Sequence, residues 1–155
     1  MTRVVAFATT PPRASAVQPH LAEIAAAGGE VRLACWFEPT ASLYEAGVVE
    51  ARQVGQAAVP RISRRRLSWL RRNRSDAPPT ADRATERWLQ VRNDPWVSEQ
   101  VAPAQALVAL DQDAVYPVWE LARANPGVKA SFGLYAVSAD LAGRLRLSDG
   151  RAVDG

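Results

Sequence analysis

Short all-apolar runs alternate along this chain with stretches whose apolar positions recur every three or four residues. Val4-Val-Ala-Phe-Ala8 is a compact apolar run closed by Thr9, Thr10, Pro11 and Pro12, a pattern that predicts a buried strand followed by a loop. Val17, Leu21, Ile24 and Ala25 then fall at helical spacing, so a helix is expected from a Ser15 cap to about Ala27. Gly28-Gly29 ends it, since a helix commonly closes on a glycine in the left-handed conformation. A second apolar run, Val31 to Phe37, follows at once. Strand, helix of about three turns, double glycine and strand make one βαβ unit, and such a crossover is right-handed and joins parallel strands.

A second unit lies nearer the C-terminus. Ala106-Leu-Val-Ala-Leu110 is apolar at every position, as in a central parallel strand covered on both faces. Asp111 and Asp113 follow, then a helix carrying Val115, Val118, Trp119, Leu121 and Ala122 and ended by Asn125-Pro126-Gly127, then a short strand, Val128 to Phe132. The tail holds one helix from about Ser138. Between the two units Leu43 to Ala58 reads as a helix weakened by Gly47 and Gly55, Arg61 to Arg74 is basic, Ser75 to Thr80 is a proline-bearing loop and Ala81 to Val91 is helical. The expected architecture is a three-layer, Rossmann-like α/β domain with a mainly parallel sheet. It spans residues 1–147, with a basic, helical insertion at about 59–100 and a flexible tail over 148–155. No internal repeat exceeds the βα unit.

Composition narrows the chemistry. The 155 residues, 48% hydrophobic, suit a single domain with its own core. One cysteine, Cys35, and one histidine, His20, argue against a disulfide framework and a zinc site, so no metal is expected. The apolar run at the N-terminus is too short for a signal peptide or a membrane span, which makes the cytoplasm the default location. Net charge is +3 and 18 of the 19 basic residues are arginine, Lys129 being the exception. Arginine and alanine richness often follows genome composition, so nucleic acid is not the expected partner.

Candidate site residues gather at strand ends. The loop after the first strand carries Thr9, Thr10, Arg13 and Ser15, which could hold a sugar or an anion at the following helix N-terminus; it equally suits a proline-stiffened turn with a serine cap. It lacks the glycines that let backbone N–H groups approach a phosphate, so no nucleotide cofactor is expected there. Asp111 and Asp113 leave the end of a central strand, where open α/β sheets bind ligands. Asp111 is the candidate general base, Asp113 a binding residue, and helix capping would also account for both. His20 has no carboxylate partner in view and suits a solvent-facing or interface role, while Cys35 reads as a core residue. Arg61 to Arg74 holds seven arginines and no acid. Wound as a helix, it sets Ile62, Leu67, Trp69 and Leu70 on one side and Arg64, Arg65, Arg71 and Arg72 on the other. That pattern fits an anionic membrane surface or a protein partner, and also a surface helix packed on its own domain. The five tryptophans are spread over several elements, as core and interface anchors are.

Three segments together resemble the N-terminal, acceptor-side domain of GT-B glycosyltransferases. Val4 to Pro12 is similar to that family's first strand and acceptor loop, His20 to Val31 to its helix, glycine and second-strand pattern, and Ala106 to Asp111 to its later strand ending at the acceptor cleft. Arg61 to Arg74 falls where several such enzymes carry a basic, membrane-docking helix. The glycines usual in the first loop are missing, and Leu110-Asp-Gln-Asp113 stands where the family has a histidine. The resemblance implies a stand-alone glycosyltransferase-like domain in glycan synthesis. With the donor-binding half not in view, it would need a second polypeptide to bind a nucleotide sugar. It also implies peripheral attachment at the inner membrane face.

Two further functions fit the residues. One is a non-catalytic binding or scaffold protein that uses the basic amphipathic stretch on a membrane or a protein. The other is a small enzyme acting through Asp111.

Overall fold

The computed structural model describes residues 1–56 and 79–150. The Arg61–Arg74 stretch, with Arg64, Arg65, Trp69, Arg71 and Arg72, and the last five residues lie outside them. The described chain forms β1 (Thr2–Ala8), α1 (Ala14–Ala26), β2 (Gly29–Cys35), α2 (Ala41–Glu45) and β3 (Glu50–Gln53). It continues through α3 (Pro79–Val91), α4 (Pro95–Val101), β4 (Ala106–Ala109), a 3-10 turn (Gln112–Ala114), α5 (Val115–Ala124), β5 (Lys129–Phe132) and α6 (Leu134–Gly150). The five strands make one all-parallel sheet in the order β3-β2-β1-β4-β5, with Val4 level with Val31 on one side and Ala106 on the other. This is the three-layer, Rossmann-like α/β arrangement.

β1 is central because it has no polar face to give up. Val4, Ala6 and Ala8 point into one layer with Val17, Leu21 and Ile24 of α1 and Leu134, Val137 and Leu141 of α6. Val5 and Phe7 point into the other with Val91, Trp96, Val97, Val118 and Leu121 from α3, α4 and α5. A strand covered on both faces must be apolar at successive positions. At roughly 1.5–3 kcal/mol for each fully buried Val, Leu, Ile or Phe, these two layers supply most of the folding drive.

Three expectations need correction, and one helix has no separate counterpart among them. Leu43–Ala58 is not one helix. Gly47, at φ +113°, and the residues around it turn the chain after α2, and Glu50–Gln53 becomes the edge strand β3. Its residues are polar because an edge strand is only half covered, and Arg32 and Trp96 hold it through Glu50. Ser15 does not cap α1. The chain is already helical at Ala14, Arg13 takes the cap position, and no side chain makes a capping hydrogen bond there. Pro95–Val101 forms a separate helix, α4, with Pro95 in its first turn and Asp94 accepting a hydrogen bond from the Val97 N–H at 3.1 Å. α6 also begins earlier than Ser138, at Leu134.

Candidate functional site

The sheet reverses its winding between β1 and β4, so a crevice is expected outside their C-terminal ends. β1 delivers Thr9 and Thr10 to that edge, and β4 delivers Leu110 and Asp111. The ladder runs one step past β4, the Leu110 N–H donating to the Phe7 carbonyl at 2.9 Å, which fixes Asp111 directly beside the first loop.

The Asp111 carboxylate bridges the two loops. Its Oδ2 accepts from the Thr9 N–H at 2.6 Å and the Thr10 N–H at 3.1 Å, with the Thr10 hydroxyl at 3.5 Å. Its Oδ1 accepts from the Thr9 hydroxyl at 2.9 Å and from the Ala114 N–H at 3.1 Å, the latter capping the 3-10 turn. A carboxylate offers about four lone-pair directions, and chain donors fill them. A substrate hydroxyl would have to displace one of those donors before Asp111 could take its proton. The two N–H groups that a phosphate would use at this loop already carry a carboxylate.

The other candidate residues are not drawn into this cluster. Arg13 and Ser15 are exposed, Arg13 at the start of α1 and Ser15 within its first turn. Asp113 is half-buried in the 3-10 turn that Asp111 caps. Below the loop, Ala6, Pro12, Val17, Leu33, Leu110 and Leu134 are among the residues lining a small pocket with no polar side chain in its wall. At about 10 Å³ it has room for no more than about one water and holds no ligand group.

Outside the crevice, His20 sits where α1 meets α6. Its Nδ1 lies 3.4 Å from the Ser138 hydroxyl and 3.5 Å from Glu23, and its ring makes an edge contact with Tyr135. Cys35 is buried and its thiol donates to the Phe37 carbonyl at 3.2 Å; burial pushes it up to about 11, far from an activated thiolate. Among the described residues no three His, Cys, Asp or Glu side chains gather as a metal site, and no helix is long and apolar enough to cross a membrane.

Two polar clusters escaped the sequence. Glu30, only 8% exposed, accepts from Arg3 Nε at 2.7 Å and lies 3.3 Å from Arg32 Nε. Arg32 continues to Glu50 and Gln100, and Trp96 donates to Glu50 at 2.7 Å. The Arg3 guanidinium is the main reason the Glu30 carboxyl is held below the usual carboxylate range, with Arg32 adding to it. The alternation Glu30-Val-Arg32 in a strand was the available signal, since both side chains share one face. At the C-terminal end of β2, Trp36 donates to Gln90 at 2.6 Å, and the Arg87 guanidinium lies 5.1 Å over the indole. No signal in the sequence pairs these three.

No protein-family model, curated protein or solved structure matches this chain. The class rests on the fold: a Rossmann-like, three-layer α/β domain with an all-parallel five-stranded sheet.

Proposed function

We propose that the chain is a non-catalytic binding domain, a Rossmann-like scaffold that holds an anionic partner through its arginine-rich stretch. The observation that carries this reading is the Asp111 carboxylate, which takes up the Thr9 and Thr10 N–H groups at the switch point and closes the place where such folds bind phosphate. In the chain the stretch with seven arginines follows β3 and precedes α3. Its apolar residues and arginines fit the cytoplasmic face of an anionic membrane, where each basic residue contributes about 1 kcal/mol.

Co-sedimentation with vesicles containing anionic lipid tests this. Binding is expected at low salt, weakening as salt rises. Reversing Arg64, Arg65 and Arg71 to Glu should weaken it at least roughly 100-fold, from about 1 kcal/mol per residue. Retention on neutral vesicles alone, or no binding at low salt, would remove the reading. Nucleotides and nucleotide sugars should leave the melting temperature unchanged.

A second reading rests on the resemblance of Val4–Pro12, His20–Val31 and Ala106–Asp111 to the acceptor-side domain of GT-B glycosyltransferases. It makes the chain the acceptor-side half of a glycosyltransferase-like assembly in glycan synthesis, completed by a second polypeptide. Sugar transfer that appears only on mixing the two would favour it over the scaffold.

A further inference from the structure

The two edges of the sheet differ. β3 carries Glu50 and Arg52 and so blunts its edge with charge, a common protection against pairing with another chain. β5 does not. Among the described residues nothing pairs with its outer side, Ala130 is exposed and Phe132 is 60% exposed. Its one charge, Lys129, stands 3.4 Å from Asp140 of α6, on the face opposite Phe132.

We propose that β5 is a dimerisation edge and that its occupant is a second copy of this chain, paired antiparallel across a two-fold axis at Ser131. The register follows from the backbone. The Lys129 and Gly133 N–H groups donate inward, to the Gln105 and Ala109 carbonyls of the β4 side. Strand periodicity therefore turns the N–H and C=O groups of Ala130 and Phe132 outward. A two-fold axis normal to the sheet keeps each face on its own side, so Ala130 must meet Phe132 of the second copy, and the two residues exchange both hydrogen bonds. This happens twice, giving four intermolecular bonds. Ser131 then faces its own counterpart in a non-hydrogen-bonded pair. The ten-stranded sheet so formed also joins the helix layers. α5 packs on β4 and β5 alike, so continuing the sheet at its ~4.8 Å strand spacing brings the two copies of α5 to about 10 Å, a direct packing distance. Trp119 on α5 and Phe132 on β5, on one face of the sheet, are 50% and 60% exposed. Together they offer roughly 250 Å² of aromatic surface, about a third of what each partner buries in a standard interface, and the paired backbones and the facing copies of α5 add to it.

The full chain is expected to sediment as a dimer at micromolar concentration. Phe132→Lys and Ala130→Pro should each yield a monomer with an unchanged far-UV spectrum, because proline there removes a donor that points away from β4. Ser131→Cys fixes the register. Its Cα would lie about 4.5 Å from its counterpart, within the range a disulfide spans, and the native thiol, Cys35, is buried. Mild oxidation should cross-link Ser131→Cys into covalent dimers and leave Ala130→Cys uncross-linked, since residue 130 faces residue 132. A monomeric wild-type chain would overturn the proposal. So would a dimer that persists in Phe132→Lys and Ala130→Pro, or one that Ser131→Cys fails to cross-link.

Discussion

One carboxylate decides what the switch point can do. Asp111 joins β1 to β4 through hydrogen bonds to three backbone N–H groups and the Thr9 hydroxyl. Hydrogen bonds to a charged acceptor are worth about 1.5–3 kcal/mol, and losing the acceptor strands donors that are partly shielded from water. Asp111→Ala should therefore lower stability by about 2–3 kcal/mol, read as a drop in the urea midpoint at constant slope. Asn would recover little, because its amide would aim donors at donors. Glu30 is the second such residue, and its effect depends on pH. Its folded pKa lies below the unfolded value near 4.5, so the stability it contributes is fully present above that value and is lost as pH falls through the folded one. Glu30→Gln should cost about 1.5–3 kcal/mol at neutral pH, and the gap between variant and wild type should close in unfolding titrations carried below pH 4.5.

At the scale of elements, the turn between α1 and β2 shows two glycines serving different ends. Gly28 sits at φ +72° with open space where a Cβ would stand, so its requirement is conformational. Gly29 has an ordinary backbone, but a Cβ there would lie 2.7 Å from Ile24 Cγ2 and 3.0 Å from the Ile24 carbonyl. Gly28→Ala should cost about 1 kcal/mol and Gly28→Asn less, since Asn tolerates the left-handed region. Gly29→Ala should cost about 1–3 kcal/mol by overpacking, and Ile24→Val should relieve part of it in the double variant. The midpoints of the four chains in urea test both. This turn was legible in the sequence, as were β1 and β4, because fully covered strands leave unbroken apolar runs, while β2 and β5 were marked by the turn residues before them, Gly28-Gly29 and Asn125-Pro126-Gly127. β3 was not, since Glu50-Ala-Arg-Gln53 is short and polar and its strand character comes from pairing with β2. The strand-end positions of Thr9, Thr10 and Asp111 were legible too. That the carboxylate turns inward onto two backbone N–H groups was not, because no residue spacing encodes the packing of β1 against β4 at a separation of 102 positions.

At the scale of the whole molecule, the sheet divides the core into two layers that share β1. Trp96 belongs to the layer of α3, α4 and α5, Trp36 and Trp88 pack against it, and Trp119 lies on α5 itself. The opposite layer, α1 and α6, has no tryptophan among the described residues, yet it holds the two helices Ala14–Ala26 and Leu134–Gly150. Tryptophan fluorescence therefore reports mainly on one layer, while far-UV circular dichroism draws heavily on the other. If Val4 and Ala6 on one face of β1 and Val5 and Phe7 on the other make the layers interdependent, both probes should give one urea transition with the same midpoint. A substitution confined to the α1 side is the sharper test. Ile24 is fully buried there, and Ile24→Val removes one methyl group at a cost of about 0.5–1.5 kcal/mol. Its effect should reach the fluorescence midpoint undiminished, although no tryptophan belongs to that cluster. A shift in the dichroism alone would mean that the two layers unfold separately and that β1 does not couple them.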